Sequence, residues 1–342
     1  MHGYLSGIQQ VGIGVCDAET AMHTYKHLFG MDVLIFDDVA NASLMTQYTG
    51  NQEYKRRAIL TMNLQGGGGF EIWQFLDRIP TKMGSIQLGD LGIYAAILKS
   101  TDIFESHKRL SAIAGLTVSD LEDCYSGINY FYVTDTDGRS FKIIPSFDWF
   151  QKKKYDLGGV VGAVIGVSDM EKSIHFYKSI LGLDTILYDF TSTENNENFR
   201  KVGLFKRATG KGAFNKLLGN VTVELVQNLS RKSSKIYEER YWGDCGFIHL
   251  CFDVNSMDDL KKHVESQGLH FSVDSNNTFA MDNASGRFCY IEDPDGTLIE
   301  LVETHKVPIL KKVGWYLDLR KRNQEKPLPD WMIKMLALSK VK

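Results

Sequence analysis

Apolar and polar positions along the chain form a pattern that occurs twice. Residues 11–34 begin with an apolar run of Val, Ile and Gly, continue with apolar residues at helical spacing after Asp17, and reach Gly30 before a second apolar run. Runs rich in Val and Ile are typical of strands, Asp is favoured at helix N-caps, and Gly is favoured just beyond a helix end. The pattern therefore predicts a strand, a helix and a second strand.

The same pattern returns at residues 163–186, where Gly14 and Asp17 recur as Gly166 and Asp169 at a constant offset of 152. Each copy is followed by two strand-like runs, which read AILTMNL and GFEIWQF in the first half and KVGLFKR and VTVELVQ in the second. A repeat over so many positions predicts two copies of one structural unit, each with the element order βαβββ.

A weaker second unit follows in each half. It begins at LGIYAAILKSTDIFESHKRL in the first half and at GFIHLCFDVNSMDDLKKHV in the second. Both copies end in an Asp-x-Asp-Gly hairpin, TDTDGRSFKII and EDPDGTLIELV, and Asp-Gly between apolar runs is a strong hairpin signal. The chain is thus predicted to contain four βαβββ units, with the lysine-rich stretch 151–159 as a linker.

The repeat pattern ends near residue 305. The remaining tail, 305–342, contains ten Lys or Arg and three acidic residues, and two stretches of it are predicted to be short amphipathic helices. We expect a packing segment with a solvated basic face. A lid over a site and a partner-binding helix are the alternatives.

Composition narrows the function classes. The chain has 342 residues, a net charge of −3 and 43% hydrophobic residues, so it has no global attraction for nucleic acids or anionic membranes and enough apolar residues for buried cores. The N-terminal stretch does not look like a secretory signal, so we expect a cytoplasmic protein. Five scattered cysteines without a CxxC pair predict neither a disulfide framework nor a thiolate zinc site.

The paired units, the V-x-D that ends their opening strands and the closing D-P-D-G-x-x-I-E-L resemble the vicinal oxygen chelate superfamily, which includes glyoxalase I, bleomycin resistance proteins and extradiol dioxygenases. This resemblance implies an α+β fold in which four βαβββ units pair into two U-shaped, eight-stranded sheets. We expect an N-terminal domain of this type at residues 1–150, a C-terminal one at 158–304, and the basic helical tail at 305–342.

The resemblance also implies a divalent metal held by the first and last strands of each unit. In the second half these positions hold Glu224, His249 and Glu300, with Gly162 where a His or Gln is usual. Such N/O ligands suit Fe, Mn, Ni, Co or Zn, and three protein ligands leave positions open for catalysis. Glu224 and Glu300 interrupt apolar strands, where a carboxylate needs a partner unless it faces solvent, which is the alternative.

The matching positions of the first half hold Gln10, Glu71, Tyr94 and Lys142. A lysine ammonium cannot donate a lone pair to a metal. We therefore expect the first half to be metal-free, with Lys142 facing Glu71 in place of a metal.

The ligand set favours a glyoxalase-like lyase or isomerase that acts on a small molecule with two adjacent oxygens. On this hypothesis Glu300 or Glu224 moves a proton at carbon, and Tyr290, which opens the closing signature, joins them as a candidate catalytic residue. An extradiol ring-cleaving dioxygenase is the first alternative, although Gly162 and Asn283 replace two histidines that its chemistry requires. A non-catalytic ligand-sequestering protein is the second alternative. The sequence leaves homodimer formation open.

Overall fold

The computed structural model describes residues 3–123, 127, 129–152, 154–276, 279–281, 284–310 and 314–341. The first unit contains β1 (Leu5–Gly14), α1 (Ala18–Phe29), β2 (Val33–Asn41), β3 (Lys55–Met62) and β4 (Gly69–Phe75). The second contains β5 (Gly92–Ser100), α2 (Ile103–Ser111), β6 (Thr117–Val118), β7 (Glu122–Asp123), β8 (Asn129–Thr134) and β9 (Ser140–Pro145).

The third unit contains β10 (Leu157–Gly166), α3 (Met170–Ser179), β11 (Thr185–Glu194), β12 (Glu197–Lys206), a short helix α4 (Asn215–Leu218) and β13 (Val221–Asn228). The fourth contains β14 (Gly246–Val254), α5 (Met257–Ser266), β15 (Val273–Asp274), β16 (Phe279–Met281), β17 (Ala284–Glu292) and β18 (Leu298–Leu310). The tail adds β19 (Trp315–Asp318) and α6 (Asp330–Met335).

The strands form two curled mixed sheets, as the resemblance implies. Sheet I has the order β15-β17-β18-β14-β1-β4-β3-β2, with β16 and β19 attached to β17 and β18. Sheet II has the order β11-β12-β13-β10-β5-β9-β8-β6, with β7 attached to β8. The predicted fold class is therefore confirmed.

Each sheet combines one unit from each half of the chain. Sheet I joins units one and four through the antiparallel pair β1–β14, and sheet II joins units two and three through the pair β5–β10. The half-barrels therefore do not coincide with the predicted stretches 1–150 and 158–304. Strands from opposite halves meet at the centre of both sheets, and this decides which side chains share a concavity.

The helices begin and end where the sequence pattern indicates. Asp17 caps α1 by accepting a hydrogen bond from the Thr20 backbone N–H at 2.8 Å, and Gly30 ends the helix with a φ of 67°. Asp169 caps α3 in the same way. A side-chain acceptor at the N-cap satisfies one of the backbone donors that a helix leaves unpaired at its start.

In each half of the chain, one buried tyrosine on a helix forms a hydrogen bond that connects the two sheets. Tyr25 on α1 donates a hydrogen bond to Asp135 in the hairpin of unit two, and Tyr177 on α3 donates one to Asp293 in the hairpin of unit four. Burial raises the pKa of Asp293 to about 6, an effect that the hydrogen bonds from Thr297, Asp295 and Tyr177 partly oppose. The two Asp-Gly turns therefore also anchor the helices.

The tail packs against the outer strands of sheet I and is less helical than predicted. Its buried side chains include Leu319, Leu328, Ile333 and Leu336, which form a hydrophobic cluster with Val33 and Met62. Within the described residues, no helix has the length and apolar character that crossing a membrane requires.

Candidate metal centre

Three side chains on the concave face of sheet I converge on one point. The Nε2 atom of His249 lies 3.1 Å from Oε2 of Glu71 and 3.1 Å from Oε2 of Glu300. All three residues are buried, and their ligand atoms lie within 4.8 Å of one another. In the described part of the chain, this is the group of His, Cys, Asp and Glu side chains that has the geometry of a metal site.

Backbone register explains why these residues meet. Gly12, near the end of β1, pairs with Glu71 on the parallel strand β4 and with His249 on the antiparallel strand β14. A Cβ atom on Gly12 would lie 2.4 Å from the His249 ring, closer than real Cβ contacts come. The absence of a side chain at Gly12 therefore makes room for the imidazole.

Gln10 adds a fourth polar group to the cluster. Its Nε2 atom lies 3.3 Å from Oε2 of Glu71 and 3.3 Å from Oε2 of Glu300, while its buried Oε1 has no hydrogen-bond partner. A half-turn of the side-chain amide exchanges the two atoms, because they differ little in size. Gln10 can thus present an oxygen ligand to the same point.

Tyr290 holds the imidazole from the other side. Its hydroxyl lies 3.2 Å from Nδ1 of His249, so Nε2 is the ring nitrogen that faces the two carboxylates. Burial acts to lower the pKa of His249, but Glu300 and Glu71 outweigh it and raise the pKa. Burial and the neighbouring Glu71 raise the pKa of Glu300, and His249 partly opposes this.

The donor set fits a divalent cation. Glu71 is 3% exposed and Glu300 is 6% exposed, and carboxylates removed from water need a positive partner or a proton. One imidazole nitrogen, two carboxylates and an amide oxygen suit Mn, Fe, Co, Ni or Zn. The hydrogen bond of Tyr290 to the far ring nitrogen is the support that metal-binding histidines usually have.

The prediction that Glu224 joins His249 and Glu300 is wrong. Glu224 lies on β13 in sheet II, whereas His249 and Glu300 lie in sheet I. Its Oε2 is 2.7 Å from the Nζ of Lys142 and accepts a hydrogen bond from Tyr188. Burial would raise the pKa of Glu224, but Lys142 and Lys201 outweigh it and hold the pKa below its usual value.

Lys142 is the cationic partner of a buried carboxylate, but this carboxylate is Glu224 and not Glu71 as predicted. Its Nζ also lies 4.0 Å from the centre of the Tyr130 ring. Because Glu224 and Glu300 are 3% and 6% exposed, the alternative that these carboxylates face solvent is wrong as well.

Sheet II repeats the strand layout of the candidate metal centre, but three of the four corresponding positions hold other residue types and the fourth, Glu224, is paired with Lys142. The turns and glycines that precede the strands align, for example Gly92 with Gly246, which share a φ of 127°. On this alignment each of the four polar residues of sheet I has an equivalent position in sheet II. Gln10 corresponds to Gly162 and Glu71 to Glu224. His249 corresponds to Ala95 and Glu300 to Lys142. Ala95, and not Tyr94 as predicted, stands at the histidine position.

A cavity of about 360 Å³ opens onto the cluster. Gln10, Glu71 and Glu300 line its polar end, next to Tyr290. Apolar side chains form most of the remaining wall, among them Phe36, Met45, Leu60, Trp73, Trp242 and Phe288. Trp242 also lies against the metal centre, since its ring is stacked 6.2 Å from that of His249.

The sequence pattern identified Gln10, Glu71 and His249 as ligand positions of their units. It did not predict that Gln10 and Glu71 lie beside His249. The unit repeat was the available signal, because it marks the same strand positions in every unit. It does not state which units pair. Asn283, at the position expected for a second histidine, lies outside the described residues.

Comparisons with known proteins agree with this architecture. Residues 159–301 match the model of the Glyoxalase/Bleomycin resistance protein/Dioxygenase superfamily. A Bacillus subtilis protein with a provisional dioxygenase assignment is similar in structure, with 12% identity, a TM-score of 0.57 and coverage of 88% of this chain and 86% of the other. Glyoxalase I from Zea mays is similar with 13% identity, a TM-score of 0.53 and coverage of 87% and 92%. No curated protein matches the sequence.

Proposed function

We propose that the chain, of which residues 159–301 match the superfamily model, is a member of the vicinal oxygen chelate superfamily and a metal-dependent enzyme of the glyoxalase-like lyase or isomerase type. Its site is the cluster of Gln10, Glu71, His249 and Glu300. The convergence of two buried carboxylates on the Nε2 atom of His249 supports this proposal best. The substrate is a small molecule that offers two adjacent oxygens.

The metal supplies Lewis-acid polarisation of a substrate carbonyl when it is bound. Glu71 and Glu300 flank the point where the substrate oxygens arrive, and one of them accepts a proton from the carbon next to the carbonyl. The protonated carboxyl group then returns that proton to the neighbouring carbon.

Other residues of the cavity orient and shield these groups. Tyr290 fixes the ring of His249 through its hydroxyl. Trp73 and Trp242, whose ring centres lie 4.4 Å apart, cover the polar end with apolar surface. Exclusion of water by such a wall strengthens the electrostatic interactions inside the site.

The two alternatives have less support. Ring cleavage by ferrous iron requires two histidines and one carboxylate, whereas the described cluster has one histidine and two carboxylates. A protein that only sequesters a ligand has no need for two buried carboxylates that face an imidazole nitrogen.

Metal content tests the proposal. The full-length protein is purified without chelators or nickel, and its bound metal is measured by mass spectrometry. Glu71→Gln and Glu224→Gln form a matched pair, because they make the same change at equivalent positions of the two sheets. We expect one equivalent of metal in the wild type and in Glu224→Gln, and loss of metal in Glu71→Gln and His249→Ala.

Loss of metal in both glutamine variants, with circular dichroism unchanged, would contradict this location of the site. Glu224→Gln leaves Lys142 without its partner, so the double variant Lys142→Met/Glu224→Met serves as a second control. It too is expected to retain the metal.

The reaction type is tested by hydrogen exchange at carbon. The metal-loaded protein is incubated with 2-hydroxyacetophenone in D2O, and deuterium uptake next to the carbonyl is followed by proton NMR. We expect exchange in the wild type and its absence in Glu71→Gln and Glu300→Gln. Oxygen consumption with catechol in place of this exchange would favour the dioxygenase alternative.

A further inference from the structure

The C-terminal tail forms part of the wall of the cavity. Leu336, in the turn after α6, and Ser339 both line it, and Leu336 is 9% exposed. These residues lie beyond residues 159–301, which match the family model. Part of the cavity wall is therefore made by a segment outside the matched region.

Hydrogen bonds fix this segment along the edge of sheet I. The Leu34 backbone N–H donates to the Ser339 carbonyl at 2.7 Å, and the Val341 N–H donates to the Asp32 carbonyl at 2.9 Å. Lys26 donates to the Val341 carbonyl at 2.8 Å, and Lys340 forms an ion pair with Asp32. Because β2 is the edge strand of sheet I, the tail extends the sheet by a short stretch of backbone pairing.

The rest of the wall is poor in free positive charge. Besides the metal-centre glutamates, the charged side chains among the described lining residues are Arg56 and Lys306. The Nη1 atom of Arg56 is 2.7 Å from Asp38, and its guanidinium lies 5.0 Å from the Trp73 ring centre. The Nζ of Lys306 lies 4.2 Å from the Tyr316 ring centre.

These features select for one kind of ligand. If a molecule with several anionic groups entered the cavity, these groups would lose their hydration, and Lys306 could form an ion pair with one of them. A compact apolar body instead gains binding free energy in proportion to the apolar surface that it removes from water. At about 360 Å³ the cavity lies near the lower end of the usual range for small-molecule sites, about 300–1,000 Å³.

We propose that the cavity accepts a compact substrate with an apolar body and no more than one anionic group away from its two adjacent oxygens, and that Leu336 limits the length of this body. The inference rests on the proposed function, since the metal centre holds the oxygen-bearing end. It excludes substrates that carry a charged peptide or a nucleotide.

The test uses hydroxamates, which share one bidentate chelating end and differ in the attached body. Acetohydroxamate has a methyl group, benzohydroxamate a phenyl ring and 4-phenylbenzohydroxamate a biphenyl group, while 3,5-dicarboxybenzohydroxamate adds two carboxylates to the phenyl ring. Dissociation constants are measured by isothermal titration calorimetry on the full-length, metal-loaded protein, and the metal content of every sample is determined.

In the wild type we expect benzohydroxamate to bind at least tenfold more tightly than acetohydroxamate and than the dicarboxylate. Leu336→Ala should improve the affinity for the biphenyl compound relative to benzohydroxamate at least fivefold, and Leu336→Phe should shift this ratio in the opposite direction. Leu338→Ala is the matched control, because Leu338 belongs to the same turn and is 63% exposed. It should leave the ratio unchanged.

Equal affinities for the methyl, phenyl and dicarboxyphenyl compounds would overturn the inference, as would the same change of ratio in Leu336→Ala and Leu338→Ala. In both cases bound metal and binding of acetohydroxamate would leave the proposed function standing. Absence of bound metal together with absence of acetohydroxamate binding would overturn the proposed function, and this inference with it.

Discussion

The side-chain amide of Gln10 lies 3.3 Å from the carboxylate of Glu300, although 290 positions separate the two residues in the chain. Gln10 lies on β1 and Glu300 on β18, and β14 lies between these strands in sheet I. The candidate metal centre is thus built from the first and the last unit of the chain. Its integrity depends on the pairing of β1 with β14, which joins the two halves.

Tyr290→Phe is expected to weaken metal binding without abolishing it. The substitution removes the hydroxyl that lies 3.2 Å from Nδ1 of His249 and so frees the orientation of the ring. Loss of such a supporting hydrogen bond typically lowers metal affinity about 10- to 100-fold. Titration against a competing chelator measures the change.

Tyr132→Phe is the control for this variant, because Tyr132 stands at the equivalent position of sheet II and its hydroxyl has no hydrogen-bond partner. It should keep the wild-type metal affinity. If Tyr290→Phe bound the metal as tightly as the wild type does, the Tyr290 hydroxyl would have no supporting role in metal binding.

Lys142→Met is expected to lower the free energy of unfolding by about 3–5 kcal/mol, because it leaves the Glu224 carboxylate buried without its closest cation. The double variant Lys142→Met/Glu224→Met should lose less than Lys142→Met alone, since an apolar pair of similar volume replaces the ion pair. Urea denaturation of Lys142→Met, Glu224→Met and the double variant measures the coupling. A double variant whose loss equals the sum of the two single losses would show that the ion pair contributes nothing.

Gly162→Ala is expected to destabilise the protein by more than about 3 kcal/mol or to prevent folding. A Cβ atom at this position would lie 1.5 Å from the Thr222 carbonyl oxygen, and the backbone of β13 would have to move. Gly84→Ala is the control, since a Cβ atom there meets nothing within 4 Å and should change stability by less than about 0.5 kcal/mol.

The same clash bears on whether sheet II can regain a ligand. A glutamine at Gly162, in imitation of Gln10, should fail to create a metal site because the backbone cannot accept a side chain there. Thermal unfolding of Gly162→Ala near the wild-type temperature would contradict this conclusion.

Lys99 should make stability depend on pH in the alkaline range. It is 1% exposed, and burial lowers its pKa from 10.5 to about 8, which the nearby Asp148 partly opposes. Between these values the unfolded chain binds the proton and the folded protein does not, so the free energy of unfolding rises with pH. From pH 7.5 to pH 10.5, the free energy of unfolding of the wild type should therefore rise by about 3 kcal/mol relative to that of Lys99→Met.

Denaturant unfolding at several pH values, with both proteins in the same buffers, isolates this contribution from that of other groups. A constant difference between the two proteins across this range would mean that Lys99 keeps its usual pKa in the folded state.

The sequence by itself determined the units and the strand positions that carry chemistry. Repeated strand, cap and turn signals are local, so the four βαβββ units and the two curled sheets followed from them and from the family resemblance. His249 and Glu300 were identified by their places in a unit, and Lys142 was identified as the cationic partner of a carboxylate, although with the wrong partner. The roles of His249 and Glu300 as metal ligands stay predictions.

Only the tertiary structure decided which unit pairs with which. The opening strands β1, β5, β10 and β14 are mostly apolar and nearly fully buried, so each offers the same kind of backbone hydrogen bonds and a similar apolar surface to any of the others. Local patterns specify a strand but not its neighbour across the sheet. The pairing of β1 with β14 brought Glu71 to His249, and the pairing of β5 with β10 brought Lys142 to Glu224.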